Sequence, residues 1–277
     1  MLSSLPQPPV DTPVSSGGQL GMTISVLIGI AVLWGFAILL GRRHHTLTPV
    51  LIAVAAGLSA FMEPIPDVLA NLWYYEPGQV TIYHAFDSAL PVWVFLSYSS
   101  FYGGYGLAMW WLVERGLSRR RVTQIVGVLW ILAVLQEFAG TGVGTYEYYG
   151  PQPLRVFDFP IWISLYNAAI VATIGIGAAR IRRSLPKRDQ ILSTLFLVPA
   201  AIVVGLIGTA FPMINLIHTE HPPMASLYAA AVASMALAGV MIYCATRLLP
   251  PDGFPPMQRA TLVAETPLAA RSAAIAE

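Results

Sequence analysis

Two carboxyl groups stand beside two prolines in the segment Glu63-Pro64-Ile65-Pro66-Asp67. Proline restrains both its own backbone and that of the preceding residue, so the two acids are expected on a rigid turn. Ionisable groups in or near an apolar slab are costly and usually face a cavity or a partner. Burial beside the following Tyr74 can push the proton affinities of two acids apart, as acid–base catalysis requires. Glu63 and Asp67 are therefore candidate catalytic residues; the alternative is that Glu63 only ends an apolar helix.

A second polar segment, Tyr83-His84-Ala85-Phe86-Asp87, combines an imidazole with a carboxylate. If the segment is helical, His84 and Asp87 stand at positions i and i+3 on one face. The carboxylate could then orient the imidazole and stabilise its charged form, which makes both candidate catalytic residues. An exposed surface pair is the alternative.

Three tyrosines follow inside an apolar stretch, with the helical spacing i, i+4, i+7. Tyr98, Tyr102 and Tyr105 therefore share one stripe of a helix. Tyrosines often form a belt at the membrane interface, but this stripe extends into the helix. We expect its hydroxyl groups to bind substrate.

The third polar segment runs from Glu137 to Pro153 and is rich in glycine and tyrosine. Glu137 closes an apolar stretch and is the third candidate acid. Tyr146 and Tyr148 alternate as in an extended strand, which places both rings on one side. Asp158 and Trp162 are expected at the same mouth, although packing alone could also explain the segment. Because no strand precedes the G-x-G-x-G pattern, a dinucleotide site is rejected.

The sequence predicts neither a metal nor another cofactor. Its acids and histidines lack H-E-x-x-H or paired E-x-x-H spacing. Cys244 is the single cysteine, which excludes an intramolecular disulfide and a cysteine-based metal site. A retinal Schiff base needs a lysine within a helix, but the only lysine, Lys187, falls in a basic loop.

Seven apolar stretches must position these groups. The chain has 277 residues, of which 56% are hydrophobic, and its mean hydropathy is +0.66. A helix needs about 20 apolar residues to cross a bilayer, so we predict an all-α integral membrane protein with about seven transmembrane helices over residues 21–249. Residues 1–20 are expected to be a disordered tail and residues 250–277 a flexible cytoplasmic tail. The stretches are Gly21–Leu40, Pro49–Met62, Leu90–Leu112, Val122–Gln136, Ile161–Ala179, Ile191–Ile217 and Met224–Leu248.

Basic residues follow the odd-numbered stretches, and loops rich in arginine and lysine stay cytoplasmic. This places the N-terminus outside, the C-terminus inside and every candidate acid at the outer face of the cell membrane. Of the 15 basic residues, only Arg155 falls outside. No long cationic tail indicates a nucleic-acid partner. The expected partners are membrane lipids and a lipophilic small molecule, and the oligomeric state is left open.

The chain resembles the avermectin spirocyclase (AveC)-like family of actinobacterial membrane proteins over residues Ala60–Asn167. The family name implies closure of a dihydroxy ketone of a polyketide to a spiroketal, with dehydration in some members, and it does not fix the substrate of this chain. The resemblance therefore implies a cyclase without a redox cofactor, and the site residues come from the reasoning above. It rests on Glu63-Pro64, Asp67, Trp73-Tyr74, the run Pro91 to Phe101-Tyr102-Gly103, and the run Glu137 to Gly144, Tyr146, Tyr148 and Gly150.

Other functions stay open at this point. The spacing of Glu137, Gly140, Gly144, Tyr146 and Tyr148 is also similar to that of membrane-embedded bacterial carotenoid hydratases. A non-catalytic transporter or lipid-binding protein is the rival from another class, although transporters often contain internal repeats and none is found here. In the catalytic interpretation Glu63 or Glu137 is the acid, and Asp67 is the base or stabilises the ion. Tyrosine hydroxyls act as donors in the pocket: Tyr102, Tyr146 and Tyr148.

The orientation predicts a labelling pattern. Cysteines placed at Ser15 and at Glu147 should both react with an impermeant thiol reagent added to intact cells, because both positions are expected outside. A cysteine at Ser184 should not react. Labelling at Ser184 instead would reverse the orientation and move the site to the cytoplasmic side.

Overall fold

A computed structural model describes residues 5–257 and is mostly helical (69%). Six short strands form three antiparallel pairs between the helices. The helices are α1 (Ser16–His44), α2 (Thr48–Ser59), α3 (Pro64–Ala70), α4 (Val92–Tyr98), α5 (Gly104–Glu114), α6 (Arg119–Gly142), α7 (Trp162–Ser184), α8 (Lys187–Val203), α9 (Phe211–Ile217) and α10 (Met224–Arg247). The strands are β1 (Leu72–Tyr74), β2 (Thr81–Ala85), β3 (Ser88–Pro91), β4 (Tyr146–Tyr148), β5 (Arg155–Val156) and β6 (Phe159–Pro160).

Five helical segments of the described chain are long and apolar enough to cross a membrane. They are α1, α6, α7, α10 and α8 with its π-helical continuation to Gly208. The pair α2–α3 makes a sixth if it is one broken span, bent by 56° where Pro64 and Pro66 follow Glu63. This architecture is that of a helical membrane protein. The predicted count of seven spans and the orientation stay predictions.

Helix α7 lies at the centre of the bundle. In its most apolar window 89% of the residues are buried, against 17–28% in the other four spans. Helices α5, α6, α8 and α10 pack around it. Small residues allow close approach: a Cβ added at Gly175 would lie 2.5 Å from the Cβ of Met109. The helices that surround α7 therefore turn much of their surface outward.

The N-terminal segment is held against two loops, which differs from the expected disorder over residues 1–20. Helix α1 begins at Ser16, and Ser15 caps it by accepting a hydrogen bond from Gly18 N at 3.1 Å. Ser15 N donates to Gly144 O at 3.0 Å, and Val14 N donates to Pro77 O at 3.0 Å. These partners are distant in sequence, so composition alone did not reveal them. Residues 1–4 lie outside the described part of the chain.

Residues 81–91 form a β-hairpin, which corrects the helix considered for this segment. Strands β2 and β3 pair with His84 opposite Ala89. Phe86 and Asp87 form the turn with φ of 53° and 58°, the left-handed conformation that such two-residue turns require. His84 and Asp87 are exposed and do not share a helix face. The run Val80-Thr81-Ile82-Tyr83 is β-branched and aromatic, which favours a strand, and the cross-strand hydrogen bonds satisfy its backbone.

A buried ion cluster closes the basic end of the bundle. The Glu114 side chain is 1% exposed and pairs with Arg182 and Arg183, each at 2.6 Å. The segment after α10 packs on this cluster. Met257 N donates a hydrogen bond to Glu114 O at 2.8 Å, and the Arg183 side chain donates one to Pro255 O at 2.8 Å. The predicted flexible tail over residues 250–277 is thus packed up to residue 257, and its remainder lies outside the described residues.

Removing the Glu114 charge should destabilise the protein strongly. In Glu114→Gln two partly buried arginines lose their counter-charge, and breaking a buried pair costs about 3–5 kcal/mol. The comparison variant is Asp189→Asn, whose partner Arg188 is 89% exposed, and such surface pairs contribute about 0–1 kcal/mol. Unfolding in detergent micelles measures both variants. Equal losses would show that the cluster contributes no more than a surface pair.

Candidate functional site

A cavity of about 710 Å³ lies between α1, α3, α4, α5, α6, α7 and the strand pair β1–β4. Its wall is mostly apolar, and no lysine, arginine or histidine of residues 5–257 lines it. The polar lining residues among those described are Glu63, Asp67, Tyr74, Ser97, Tyr98, Ser100, Tyr102, Tyr105, Gln136, Glu137, Tyr146, Tyr148, Tyr166 and Asn167, with Ser25 at the edge. The three carboxyl groups thus face one space in which tyrosine hydroxyls are the main hydrogen-bond donors.

Tyrosine hydroxyls anchor Glu63 at the joint between a 3₁₀ turn (Ala60–Met62) and α3. Its Oε1 accepts a hydrogen bond from Tyr74 at 2.7 Å, and its Oε2 accepts one from Tyr98. Tyr74 comes from β1 and Tyr98 from the end of α4, so three separate elements meet at one carboxyl group. Both oxygens are held, which fixes the orientation of the group.

Asp67 lies one helical turn after Glu63, and the two carboxyl groups are neighbours on the cavity wall. Asp67 is 1% exposed, and its Oδ2 has no hydrogen-bond partner among the described residues. A close pair of carboxyl groups without a neighbouring cation is stable when one of them holds a proton. Such a pair contains a proton donor and a proton acceptor in one place.

Glu137 forms a second carboxyl centre, on α6. Its Oε2 accepts a hydrogen bond from Tyr146 at 2.8 Å. Tyr146 reaches it because Gly140, one turn further along α6, has no side chain: an added Cβ would lie 2.6 Å from Cε1 of that ring. The neighbouring Thr145 is fixed by donating to Gly140 O at 2.9 Å. The glycines of this segment therefore bring a tyrosine to the acid.

The β1–β4 pairing places the aromatic rings between the two carboxyl centres. Tyr74 stands opposite Tyr146 and Leu72 opposite Tyr148, so all four side chains are buried. The rings of Tyr74 and Tyr146 are 5.6 Å apart, and Trp93 stacks on Tyr146 at 6.0 Å. An aromatic wall thus joins the Glu63 centre to the Glu137 centre.

These tyrosines keep their protons at neutral pH. Burial raises the pKa of Tyr74 well above its ordinary value, and the negative field of Glu63 raises it further. Burial and then Glu137 act in the same direction on the pKa of Tyr146. For Tyr148 burial is again the largest cause of a raised pKa. The hydroxyls are therefore hydrogen-bond donors to the acids and to a ligand.

Two polar residues of α7 and one of α6 complete the wall and were not predicted. Tyr102 donates to Asn167 Oδ1 at 2.9 Å. Tyr166 lies next to Asn167 on the cavity side, and Tyr105 donates to Gln136 at 3.4 Å. The available signal was their polarity within apolar stretches, because side chains that can hydrogen-bond are seldom left facing lipid.

The structure brings together most of the predicted site and separates four residues from it. Tyr74, Tyr98, Tyr102, Tyr105, Tyr146 and Tyr148 line the cavity with Glu63, Asp67 and Glu137. His84 and Asp87 lie on the exposed hairpin.

Asp158 and Trp162 also fall away from the cavity. The Asp158 side chain is 78% exposed and pairs with Arg155 at 3.4 Å across the β5–β6 turn, where a charge keeps its hydration. Trp162 is 1% exposed and is packed in the core, where its indole donates to Gln152 at 3.4 Å. Nearness in sequence to an outer loop did not give nearness to the cavity. Within the described residues no group of three or more histidine, cysteine or acidic side chains is arranged to hold a metal ion.

No protein-family model, curated protein or solved structure matches the chain. The likeness to the spirocyclase-like family therefore stays a prediction. Arguments about function rest on the cavity.

The Gly140–Tyr146 contact predicts opposite effects for two glycines of α6. Gly140→Ala should destabilise the protein by about 1–3 kcal/mol, because the new methyl group displaces the Tyr146 ring from Glu137. Gly142→Ala is the control, since nothing lies within 4 Å of its added Cβ, and alanine at a helical position should be neutral or stabilising. Unfolding in detergent measures both. If Gly140→Ala is as stable as Gly142→Ala, the close contact is not required.

Proposed function

We propose that the protein is a membrane-embedded cyclase that closes a lipophilic dihydroxy ketone to a spiroketal without a cofactor. The observation that supports this most is the pair of tyrosine-anchored carboxyl centres, Glu63 with Asp67 and Glu137, on one largely apolar cavity. Acid–base chemistry needs a donor and an acceptor on the same substrate, and both are within this wall. The wall is otherwise apolar, which suits a lipophilic substrate.

The reaction requires one proton donor and one proton acceptor. One hydroxyl adds to the ketone to give a hemiketal. A carboxylic acid, Glu63 or Glu137, then protonates the hemiketal hydroxyl, which leaves as water, and an oxocarbenium ion forms. The second hydroxyl attacks this ion while a carboxylate, for which Asp67 is the candidate, removes its proton. The net change is the loss of one water molecule, and the acid and the base are restored as a pair.

The cavity supplies electrostatic and geometric assistance to this step. Fixed carboxylates near the developing cation stabilise it, and the faces of Tyr74, Trp93 and Tyr146 add cation–π attraction. Hydroxyls of Tyr102, Tyr146 and Tyr148 can hold the substrate oxygens. The fold imposed on the bound chain selects the face that is attacked, and so the stereochemistry.

The same wall supports a second candidate, hydration or cyclisation of an isoprenoid. The observation that favours it is the Trp93–Tyr146 stack beside Glu137, which would stabilise a carbocation that carries no oxygen. Here Glu137 would protonate a carbon–carbon double bond before water adds.

In either reaction we propose seven membrane spans, with the N-terminus outside and the C-terminus inside.

A substitution at Glu137 tests the proposed acid. Glu137→Gln keeps the shape and the acceptor for Tyr146 but removes the transferable proton, so turnover should fall by about 10²- to 10⁴-fold. The assay follows the loss of water from a synthetic long-chain dihydroxy ketone in proteoliposomes, by mass spectrometry. A polyene substrate in parallel tests the second candidate.

The matched control is Glu147→Gln. Glu147 accepts a hydrogen bond from the Tyr75 hydroxyl at 2.9 Å and does not line the cavity. The variant should therefore retain activity. Wild-type turnover by folded Glu137→Gln would remove Glu137 from the mechanism and make Glu63 the leading acid. If the wild-type protein binds the compound saturably but leaves it unchanged, the result would favour a non-catalytic lipid-binding protein.

A further inference from the structure

The cavity is covered on the side where the loops lie. Gln19, in the first turn of α1, holds the loop before β2: its amide donates to Gly78 O at 3.1 Å, and its Oε1 accepts from Val80 N at 2.7 Å. Ser15 N donates a hydrogen bond to Gly144 O, so the start of α1 also contacts the segment after α6. The β1–β4 strands lie beside these contacts, and their residues Tyr74, Tyr146 and Tyr148 are at most 7% exposed; we call this covered side the roof. Direct access from water is restricted there.

One face of α1 borders the cavity over a long distance. Met22, Ser25, Gly29, Val32 and Phe36 all line it, and their spacing of three and four residues is that of a single helix face. At 1.5 Å per residue the stripe is about 21 Å long, most of the thickness of a bilayer core. Val32 lines the cavity and is also 67% exposed. The cavity therefore reaches the outer surface of the bundle at Val32, whereas at Gly29 the helix packs closely on Ser100.

The opposite border of the opening belongs to α5 and α6. Tyr105, Ala108, Gln136 and Ala139 line the cavity there. Helix α1 packs on α2, α4 and α5, whereas α6 packs chiefly on α7. The rings of Phe36 and Trp111 are in edge-to-face contact, with their centroids 5.6 Å apart. This contact marks the end of the α1 stripe at Phe36. Neither border carries a charge, and its polar groups are Ser25 and the Tyr105–Gln136 pair.

From this geometry we infer that ligand reaches the carboxyl centres sideways from the bilayer, through the opening between α1 and α5–α6. A lining stripe about 21 Å long that carries no charge suits an extended molecule dissolved in the membrane. The acids beyond it require oxygen or a polarisable double bond at the end that enters. The substrate class is thus an elongated, uncharged lipid-like molecule with a polar end group. Its chemical conversion rests on the proposed function, but the route does not.

The test blocks the opening with a large side chain. The protein in lipid nanodiscs is photolabelled with a diazirine-bearing palmityl alcohol, and adducts are mapped by mass spectrometry. Val32→Trp should lower adducts on residues 63–74 and 137–148 by about tenfold or more, because an indole fills the passage. Ile28→Trp is the matched control: Ile28 lies on the same helix, is 60% exposed and does not line the cavity.

The outcomes separate the route from the reaction. Retained labelling of both segments in folded Val32→Trp, or an equal loss in Ile28→Trp, overturns the lateral route. If Val32→Trp fails to fold, Val32→Phe replaces it and the same two results decide. Selective loss in the Val32 variant together with wild-type turnover by Glu137→Gln would keep the route and reject the proposed acid.

Discussion

Burying carboxyl groups in an apolar bundle without a cation is the constraint on which the site depends. A charge in such surroundings is costly unless donors surround it. Here phenolic hydroxyls take that role, with Tyr74 and Tyr98 on Glu63 and Tyr146 on Glu137. Several local features follow from this need. The last residue of α4, the β1–β4 pairing and the bare Cα of Gly140 each bring a tyrosine to an acid.

The protein satisfies buried acids in two different ways at its two ends. Glu114 is fixed by two arginines and joins α5, α7 and the segment after α10. The two arginines supply its counter-charge on buried contacts, so the group joins the elements at this end of the bundle. Glu63 and Glu137 of the cavity have neutral donors instead, and one oxygen of Asp67 has no hydrogen-bond partner in the described part of the chain. This difference in partners is the physical reason to assign chemistry to the cavity and architecture to the ion cluster.

A sideways opening resolves a conflict between the proposed substrate and the proposed orientation. Polyketides are assembled in the cytoplasm, whereas the orientation predicted from the basic loops puts the cavity near the outer face. A lipophilic chain that dissolves in the bilayer can reach Glu63 and Glu137 past Val32 without crossing the roof at Gln19. The covered roof also limits water around the cation, which strengthens each electrostatic contact within the cavity.

The sequence by itself determined the helical membrane class and the acids and tyrosines that face the cavity. The length of an apolar run shows whether a helix can cross a bilayer, and the alternation of Tyr146 and Tyr148 places both rings on one face of a strand. Both features follow from the local geometry of the backbone. Tertiary structure decided which polar residues meet. The pairing of Leu72–Tyr74 with Tyr146–Tyr148 joins segments far apart in the chain, while His84 and Asp158 were left on exposed hairpins. Asn167 entered the site through the central position of α7. Such encounters depend on packing between distant elements, and no local periodicity encodes them.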